Sequence, residues 1–373
     1  MVCRLPPDPD PLTTGPCACS VRVYAGCVKP LPAEDLEHIC AHTRELWESA
    51  RRKRLFITGG TGFFGTWLVE SFVYCNRELS LNAEAIVLTR DPSAYSAKAS
   101  QLASDPSVRL LLGDVRTFAF PQQHIDFVVH AAAPTSTEAA SHPMDLIGTM
   151  IHGTERVVEL ARTRGAERFL LTSSGAVYGR QPEMISHIGE DYIGGPDWLD
   201  TNAAYAEGKR VSEQICSISA KESDIRFTLA RCFAFIGPHL PLDQHFAIGN
   251  FIGDVLAGRD VVIRGDGTPK RSYLYAADLA VWLWTMLLRE PDVRSNPRVF
   301  NVGSGEAISI RDLAQTVVEE LNPSLRIEVA KLPQAGQRVE QYVPSVQKAE
   351  SCLGLRPRIE LREAIRRTAA WHR

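Results

Sequence analysis

Residues Leu55 to Gly65 read Leu-Phe-Ile-Thr-Gly-Gly-Thr-Gly-Phe-Phe-Gly, an apolar run that breaks at a glycine cluster and passes at once into a helical pattern. That order specifies a β-strand, a tight phosphate-binding turn and a helix N-terminus. Gly59 ends the strand in a turn that a side chain would obstruct. Gly62 lets a pyrophosphate approach backbone N–H groups, and Gly65 lets the helix lie close on the sheet. The opening helical residues Phe63 and Phe64 then offer unpaired donors and a positive dipole end to an anion. The spacing is G-x-x-G-x-x-G rather than the commoner G-x-G-x-x-G, and taken alone it also fits an ordinary strand-to-helix turn. The rest of the chain decides between the two.

Apolar strands are expected at 85–89, 108–112, 125–130, 168–172 and 226–230, with helical patterns over 66–75, 144–164 and 203–221 between them. Continuous apolar strands alternating with helices specify an α/β fold, a doubly wound parallel sheet of Rossmann type covered on both faces. Ligands bind such sheets at the carboxyl ends of the strands. The boundaries read as an irregular leader over 1–32, an N-terminal amphipathic helix over 33–53 and a dinucleotide-binding domain over 54–237. A segment near 299–321 returns to that domain, and 238–298 with 322–373 form a smaller C-terminal substrate-binding lobe.

A chain of 373 residues with 45% apolar side chains can bury a sizeable core. A formal net charge of −3 gives no electrostatic case for nucleic acid or an anionic membrane as partner. No apolar run is long enough to span a bilayer, and no signal-peptide core is evident at the N-terminus. Nine scattered cysteines read as reduced thiols, so a cytoplasmic location is expected. Cys3, Cys17, Cys19 and Cys27 in the leader lack a paired C-x2-C knuckle, and no metal is expected.

The chemical signal is Tyr205-Ala206-Glu207-Gly208-Lys209. Positions i and i+4 share a helix face, so the ammonium is expected to lower the phenol's pKa and make Tyr205 a general base or acid. The preceding strand ends in Thr172-Ser173-Ser174-Gly175-Ala176-Val177-Tyr178-Gly179, where a serine can hydrogen-bond the same substrate oxygen. At the end of the second strand stands Thr89-Arg90-Asp91. Arg90 favours NADP, whereas Asp91 turned inward favours NAD. Asp114, after the third strand, is placed to accept from an adenine amino group, or is an ordinary turn aspartate.

With these motifs in this order, the chain from about Lys53 onward resembles an extended short-chain dehydrogenase/reductase of the nucleotide-sugar epimerase/dehydratase family. Further segments similar to the family are His130-Ala131-Ala132-Ala133, Arg271-Ser272-Tyr273, Asn301-Val302-Gly303-Ser304-Gly305, Tyr342-Val343-Pro344 and Leu353-Gly354-Leu355-Arg356-Pro357. The resemblance implies catalytic roles for Ser174, Tyr205 and Lys209, with Tyr205 and Lys209 also touching the cofactor. It implies a cofactor site of Gly59, Gly62, Phe63, Phe64, Gly65, Arg90, Asp114, Val115 and Ala131 to Ala133. It implies substrate contacts from Thr135, Ser174, Asn250, Arg271 and Arg338, the arginines holding a diphosphate. NAD is the implied cofactor, with NADP admitted by Arg90; the partners are a nucleotide-diphosphate sugar and a second copy in a homodimer.

Two departures narrow the reaction. Family members that eliminate water or decarboxylate commonly carry an acid where this chain has Ala176. Phe233-Ala234-Phe235 occupies a region where the family often has a substrate-binding Asn. The expected activity is a 4-epimerase working through a transient 4-keto sugar. The alternatives are an NADPH-dependent 4-ketoreductase and a catalytically silent dinucleotide-binding sensor.

Overall fold

The computed structural model describes residues 29–134, 137–244, 246–290, 296–334, 336 and 338–373. Thr135, most of the leader and its four cysteines lie outside the described residues.

Seven strands form one sheet: β1 (Arg54–Thr58), β2 (Glu84–Thr89), β3 (Val108–Leu112), β4 (Phe127–His130), β5 (Arg168–Ser174), β6 (Arg226–Cys232) and β7 (Arg298–Val302). Their order is β7-β6-β5-β4-β1-β2-β3, parallel throughout. Successive side chains of a strand point to opposite faces. Accordingly Leu55, Ile57, Val129 and Leu170 join one core, while Phe56, Val128 and Phe169 join the other. The strand order reverses between β1 and β4, opening a crevice at their carboxyl ends. This is the doubly wound α/β fold that the strand pattern specifies.

The N-terminal element differs from the single helix expected over 33–53. An α-helix, α1, covers Ala33–Thr43, and a 3-10 segment continues over Arg44–Ala50. Residues three apart eclipse in a 3-10 turn, and this one sends both Trp47 and Ala50 into the core. Trp47 packs against Trp284 with ring centroids 4.7 Å apart, and its Nε1 donates to Thr43 Oγ1 at 2.8 Å. Helices α2 (Phe63–Glu78), α3 (Pro143–Thr163) and α4 (Ala204–Glu222) flank the sheet. Beyond β6 come α5 (Ala247–Leu256), α6 (Ala276–Leu288), α7 (Ile310–Leu321) and α8 (Leu361–His372).

Only β7 of the returning segment enters the sheet, whereas α7 packs on α5 and α8. Helix α1 is tied to the end of the chain by buried Asp35, which accepts from Tyr275 Oη at 2.6 Å and Arg367 Nη1 at 2.9 Å. Burial nonetheless outweighs those bonds and raises the Asp35 pKa. A small three-stranded sheet joins Ile308–Ser309, Lys270–Arg271 and Gln341–Tyr342, placing Tyr342 opposite Arg271. Buried Asn301 links β7 to the loop after β5 and to the lobe, donating to Ile188 O and Ser345 O and accepting from Tyr178 Oη at 2.7 Å. No helix among the described residues is long and apolar enough to cross a membrane.

Candidate active site

The glycine turn connects β1 to α2 at the crevice. Gly59 has φ +72°, and a Cβ there would lie 2.5 Å from the Ala131 carbonyl carbon. Gly65 is equally confined, because its Cβ would meet the Gly59 oxygen at 2.1 Å. Gly62 differs: only the Gly59 oxygen, at 3.5 Å, lies within 4 Å of the position of a Cβ. Gly62 is also the N-cap of α2, with no side-chain hydrogen bond capping the helix. Here is an open cradle beside unpaired N–H groups and a helix dipole, which fits a pyrophosphate. Phe63 and Phe64 open the helix, and Phe64 packs edge-on against Phe235 at 5.1 Å.

On the far side of the crevice, Ala132 N donates to Thr58 Oγ1 at 3.1 Å. Thr58 therefore has its own proton to give to His130 Nδ1, 2.7 Å away, leaving Nε2–H to face Thr154 Oγ1 at 3.1 Å. Burial drops the His130 pKa to about 3, so the ring is neutral and its tautomer is fixed by its neighbours. Ala131 to Ala133 thus form a pinned backbone shelf. Thr58 was not singled out from the sequence, where it reads as the last strand residue before the glycines.

At the adenosine end, Arg90 is exposed, whereas Asp91 is not turned inward. Asp91 caps the short helix Pro92–Lys98, accepting from Ala94 N at 2.8 Å. Asp91→Ala is expected to lower stability by about 1 kcal/mol through loss of that cap, with NAD affinity unchanged. Thermal melting and titration calorimetry check this, and a matching loss of NAD affinity would give Asp91 a role at the ribose. Asp114 is less free than its expected adenine contact requires. Arg116 holds the carboxylate with Nε at 2.8 Å and Nη2 at 3.0 Å, which keeps its pKa below the usual range. Val115 packs toward Gly153 of α3, a Cβ on which would come within 3.0 Å of it.

Ser174, Tyr205 and Lys209 meet where β5 ends and α4 begins. Ser174 Oγ accepts from Ala176 N at 3.2 Å and lies close enough to Tyr205 to favour its ionised form. Lys209 is buried; its Nζ donates to Thr172 O at 2.7 Å and lies 5.9 Å from the Tyr205 ring centroid. One expectation needs correction. The Tyr205 pKa is pushed up to about 12, chiefly by desolvation, with Ser174 pulling the other way. The lysine does not lower it, because burial acts on the ammonium too and brings Lys209 down to about 8. Both groups are set by burial before any ligand enters.

The lobe adds an aromatic wall that sequence reasoning did not assign. Tyr342 Oη lies 3.5 Å from Ser174 Oγ, and its ring packs on Phe233 at 4.6 Å. Phe233 in turn fills the space above Gly175, whose Cβ would meet the ring at 2.6 Å. Tyr342 was legible only as part of a family-like segment. Its role depends on strand pairing with Lys270–Arg271, which spacing does not reveal. Of the residues expected at the substrate, Asn250 is half-buried in the first turn of α5, and Arg338 is exposed. Arg271 is not free for a diphosphate as expected: Nη2 donates to Glu340 Oε1 at 2.5 Å and Nη1 to Lys270 O at 2.9 Å. Its nearest anion is local, so a diphosphate here either shares the guanidinium with Glu340 or displaces it.

The family model described as the NAD dependent epimerase/dehydratase family matches residues 55–303. UDP-glucuronic acid decarboxylase 6 of Arabidopsis thaliana is 30% identical over 313 residues, covering 84% of this chain and 86% of its own length. UDP-glucuronic acid decarboxylase 1 of Danio rerio is 29% identical over 318 residues, with 85% and 72% covered. Among solved structures, the UDP-glucose 4-epimerase of Thermotoga maritima with UDP-glucose is similar at a TM-score of 0.70 and 21% identity, covering 86% of this chain and 98% of that one. MoeE5 in complex with UDP-glucose and NAD is similar at a TM-score of 0.69 and 25% identity, with the same coverage.

Proposed function

This chain belongs to the NAD-dependent epimerase/dehydratase family and is a nucleotide-sugar modifying enzyme, and we propose that its reaction is 4-epimerisation through a transient 4-keto sugar. The observation that carries this reading is the turn Gly175–Tyr178, which follows Ser174 and contains no carboxylate. Elimination across carbons 5 and 6 needs an acid/base group beyond the phenol, and Phe233 covers Gly175 instead. Epimerisation at carbon 4 needs no group beyond Ser174, Tyr205 and Lys209. Bound NAD supplies a reversible hydride acceptor. Tyr205 takes the proton of the sugar 4-hydroxyl and later returns it. Ser174 hydrogen-bonds the same oxygen and orients it toward the phenol. Lys209 supplies a buried positive charge under the ring.

The decarboxylase relatives act on a uronic acid. Among the described residues near Ser174, Arg231 is held by Glu213 and Arg271 by Glu340, so neither offers a free cation to a sugar carboxylate. This supports a neutral sugar. A second reading, an NADPH-dependent 4-ketoreductase, draws on exposed Arg90 beside an Asp91 committed to capping. We also propose a homodimer through the outer face of α4, where Val211 and Ile218 are exposed, and a cytoplasmic location in keeping with the free thiols of Cys40, Cys75, Cys216 and Cys232.

Incubation of the full chain with UDP-glucose, followed by proton NMR, is expected to give the 4-epimer without net NADH. Release of carbon dioxide from UDP-glucuronate would move the assignment to decarboxylation. Stoichiometric NADPH oxidation with a 4-keto nucleotide sugar would move it to the reductase.

A further inference from the structure

The chemistry above leaves one buried set beside the site unused: Ser173, Glu213 and Arg231. Glu213 stands one helical turn beyond Lys209 on α4, and only 8% of it is exposed. Ser173 Oγ donates to Oε1 at 2.6 Å. Arg231, on β6, donates Nε to Oε1 at 2.9 Å and Nη2 to Oε2 at 2.7 Å. Its guanidinium lies over the Tyr178 ring, 4.7 Å from the centroid. Ser173 and Arg231 are register partners across β5 and β6. One carboxylate therefore joins the helix bearing Tyr205 and Lys209 to both strands, at the residue next to Ser174.

A buried ion pair is weak support for stability, since desolvation offsets most of the attraction. Its geometric effect is larger. With both oxygens committed, Glu213 fixes the end of β5 against α4. We propose that Glu213 is a positioning residue, which sets Ser174 against Tyr205 by way of Ser173 and stands one helical turn from the Lys209 ammonium. The proposal rests on the reading that Ser174, Tyr205 and Lys209 carry the chemistry. The charged and titratable groups facing Lys209 are Glu213 and Cys216 on α4, Cys232 on β6, His130 on β4, and Tyr205. Of these, His130 and Tyr205 are neutral near pH 7, and burial pushes both thiols up, so they are neutral too. Glu213 is then the one anion among them, with Arg231 as its counter-charge.

Glu213→Gln keeps an acceptor for Ser173 but leaves Arg231 buried without its counter-charge. The double change Glu213→Gln/Arg231→Gln removes that penalty and is the folding control. Lysine-detected nitrogen-15 NMR titration of the full chain reads Lys209 directly, with Lys209→Arg assigning the signal. In Glu213→Gln, which removes the anion and keeps the Arg231 cation, the Lys209 midpoint is expected to fall by about one pH unit, and in the double variant, which removes both charges, by less. The alkaline limb of the rate profile should fall with it, because deprotonation then starts at lower pH. Ser173→Ala is expected to lower kcat about tenfold with KM, NAD affinity and that limb unmoved. An unshifted midpoint in folded Glu213→Gln would overturn the electrostatic role, and unchanged kcat in Ser173→Ala would overturn the positioning role. A shifted midpoint in an enzyme that turns over no nucleotide sugar upholds the coupling and rejects the proposed function instead.

Discussion

Tyr205→Phe is expected to lower kcat about a thousandfold or more, the loss that follows removal of a general acid/base. The change deletes one hydroxyl and keeps the ring, which packs with Leu146, Met150 and Ala204, so NAD affinity and thermal stability should be retained. The structure also says how hard this phenol is to ionise. With a pKa of about 12, roughly one molecule in 100,000 carries a phenolate at pH 7. Proton transfer must therefore be concerted with changes at the sugar, or the phenol's pKa must drop once the site is filled. Lys209, close to its own midpoint near pH 8, is the group whose charge decides how far it drops. Turnover should accordingly fall as pH rises through about 8 and the ammonium is lost. Steady-state kinetics over pH 6 to about 10 with the natural enzyme and the Phe variant check both statements. A variant that raises KM while leaving kcat intact would reduce Tyr205 to a binding contact.

The dinucleotide fold was readable because strand periodicity and glycine spacing are local properties. Each buried strand announces itself in four to seven residues, and Tyr205 and Lys209 share a face by helix geometry alone. What the sequence hid depends on pairings between distant segments. Asp91 has the same letter whether it faces a ribose or caps a helix; the cap follows from Pro92 starting a helix at once. Arg271 reads as a diphosphate ligand, and its spacing does not reveal that the parallel pairing of Lys270–Arg271 with Gln341–Tyr342 brings Glu340 alongside. Tyr342 reaches Ser174 through that same pairing, across a sequence separation of 168 residues. The pKa order is hidden for another reason: i and i+4 spacing gives proximity and says nothing of burial, and burial governs both groups.

The glycines of the opening turn separate fold from cofactor binding, and the second large effect is a contrast between two of them. Gly65→Ala puts a methyl group 2.1 Å from the Gly59 oxygen and 2.4 Å from Gly60 Cα. Both are backbone atoms in a turn that Ala131 closes from the other side, so nothing yields cheaply. A cost of about 3 kcal/mol is expected, at the upper end for overpacking. That is a large share of the roughly 5–15 kcal/mol that holds a domain folded. Gly62→Ala meets no such wall. Its φ of −85° suits alanine, and its one neighbour within 4 Å lies at an ordinary contact distance of 3.5 Å. Gly62→Ala should melt within about 2 °C of the parent, the change tied to a shift below 1 kcal/mol, yet bind NAD at least tenfold more weakly, because the methyl group stands where the pyrophosphate has to approach the α2 N–H groups. Differential scanning fluorimetry with and without NAD reads both effects in one experiment: Gly65→Ala melts low in both conditions, whereas Gly62→Ala melts normally and loses the rise that NAD gives the parent. Should Gly62→Ala keep the full NAD-dependent rise, the pyrophosphate does not lie over the N-terminus of α2, and the glycine turn has only the structural role its spacing also allows.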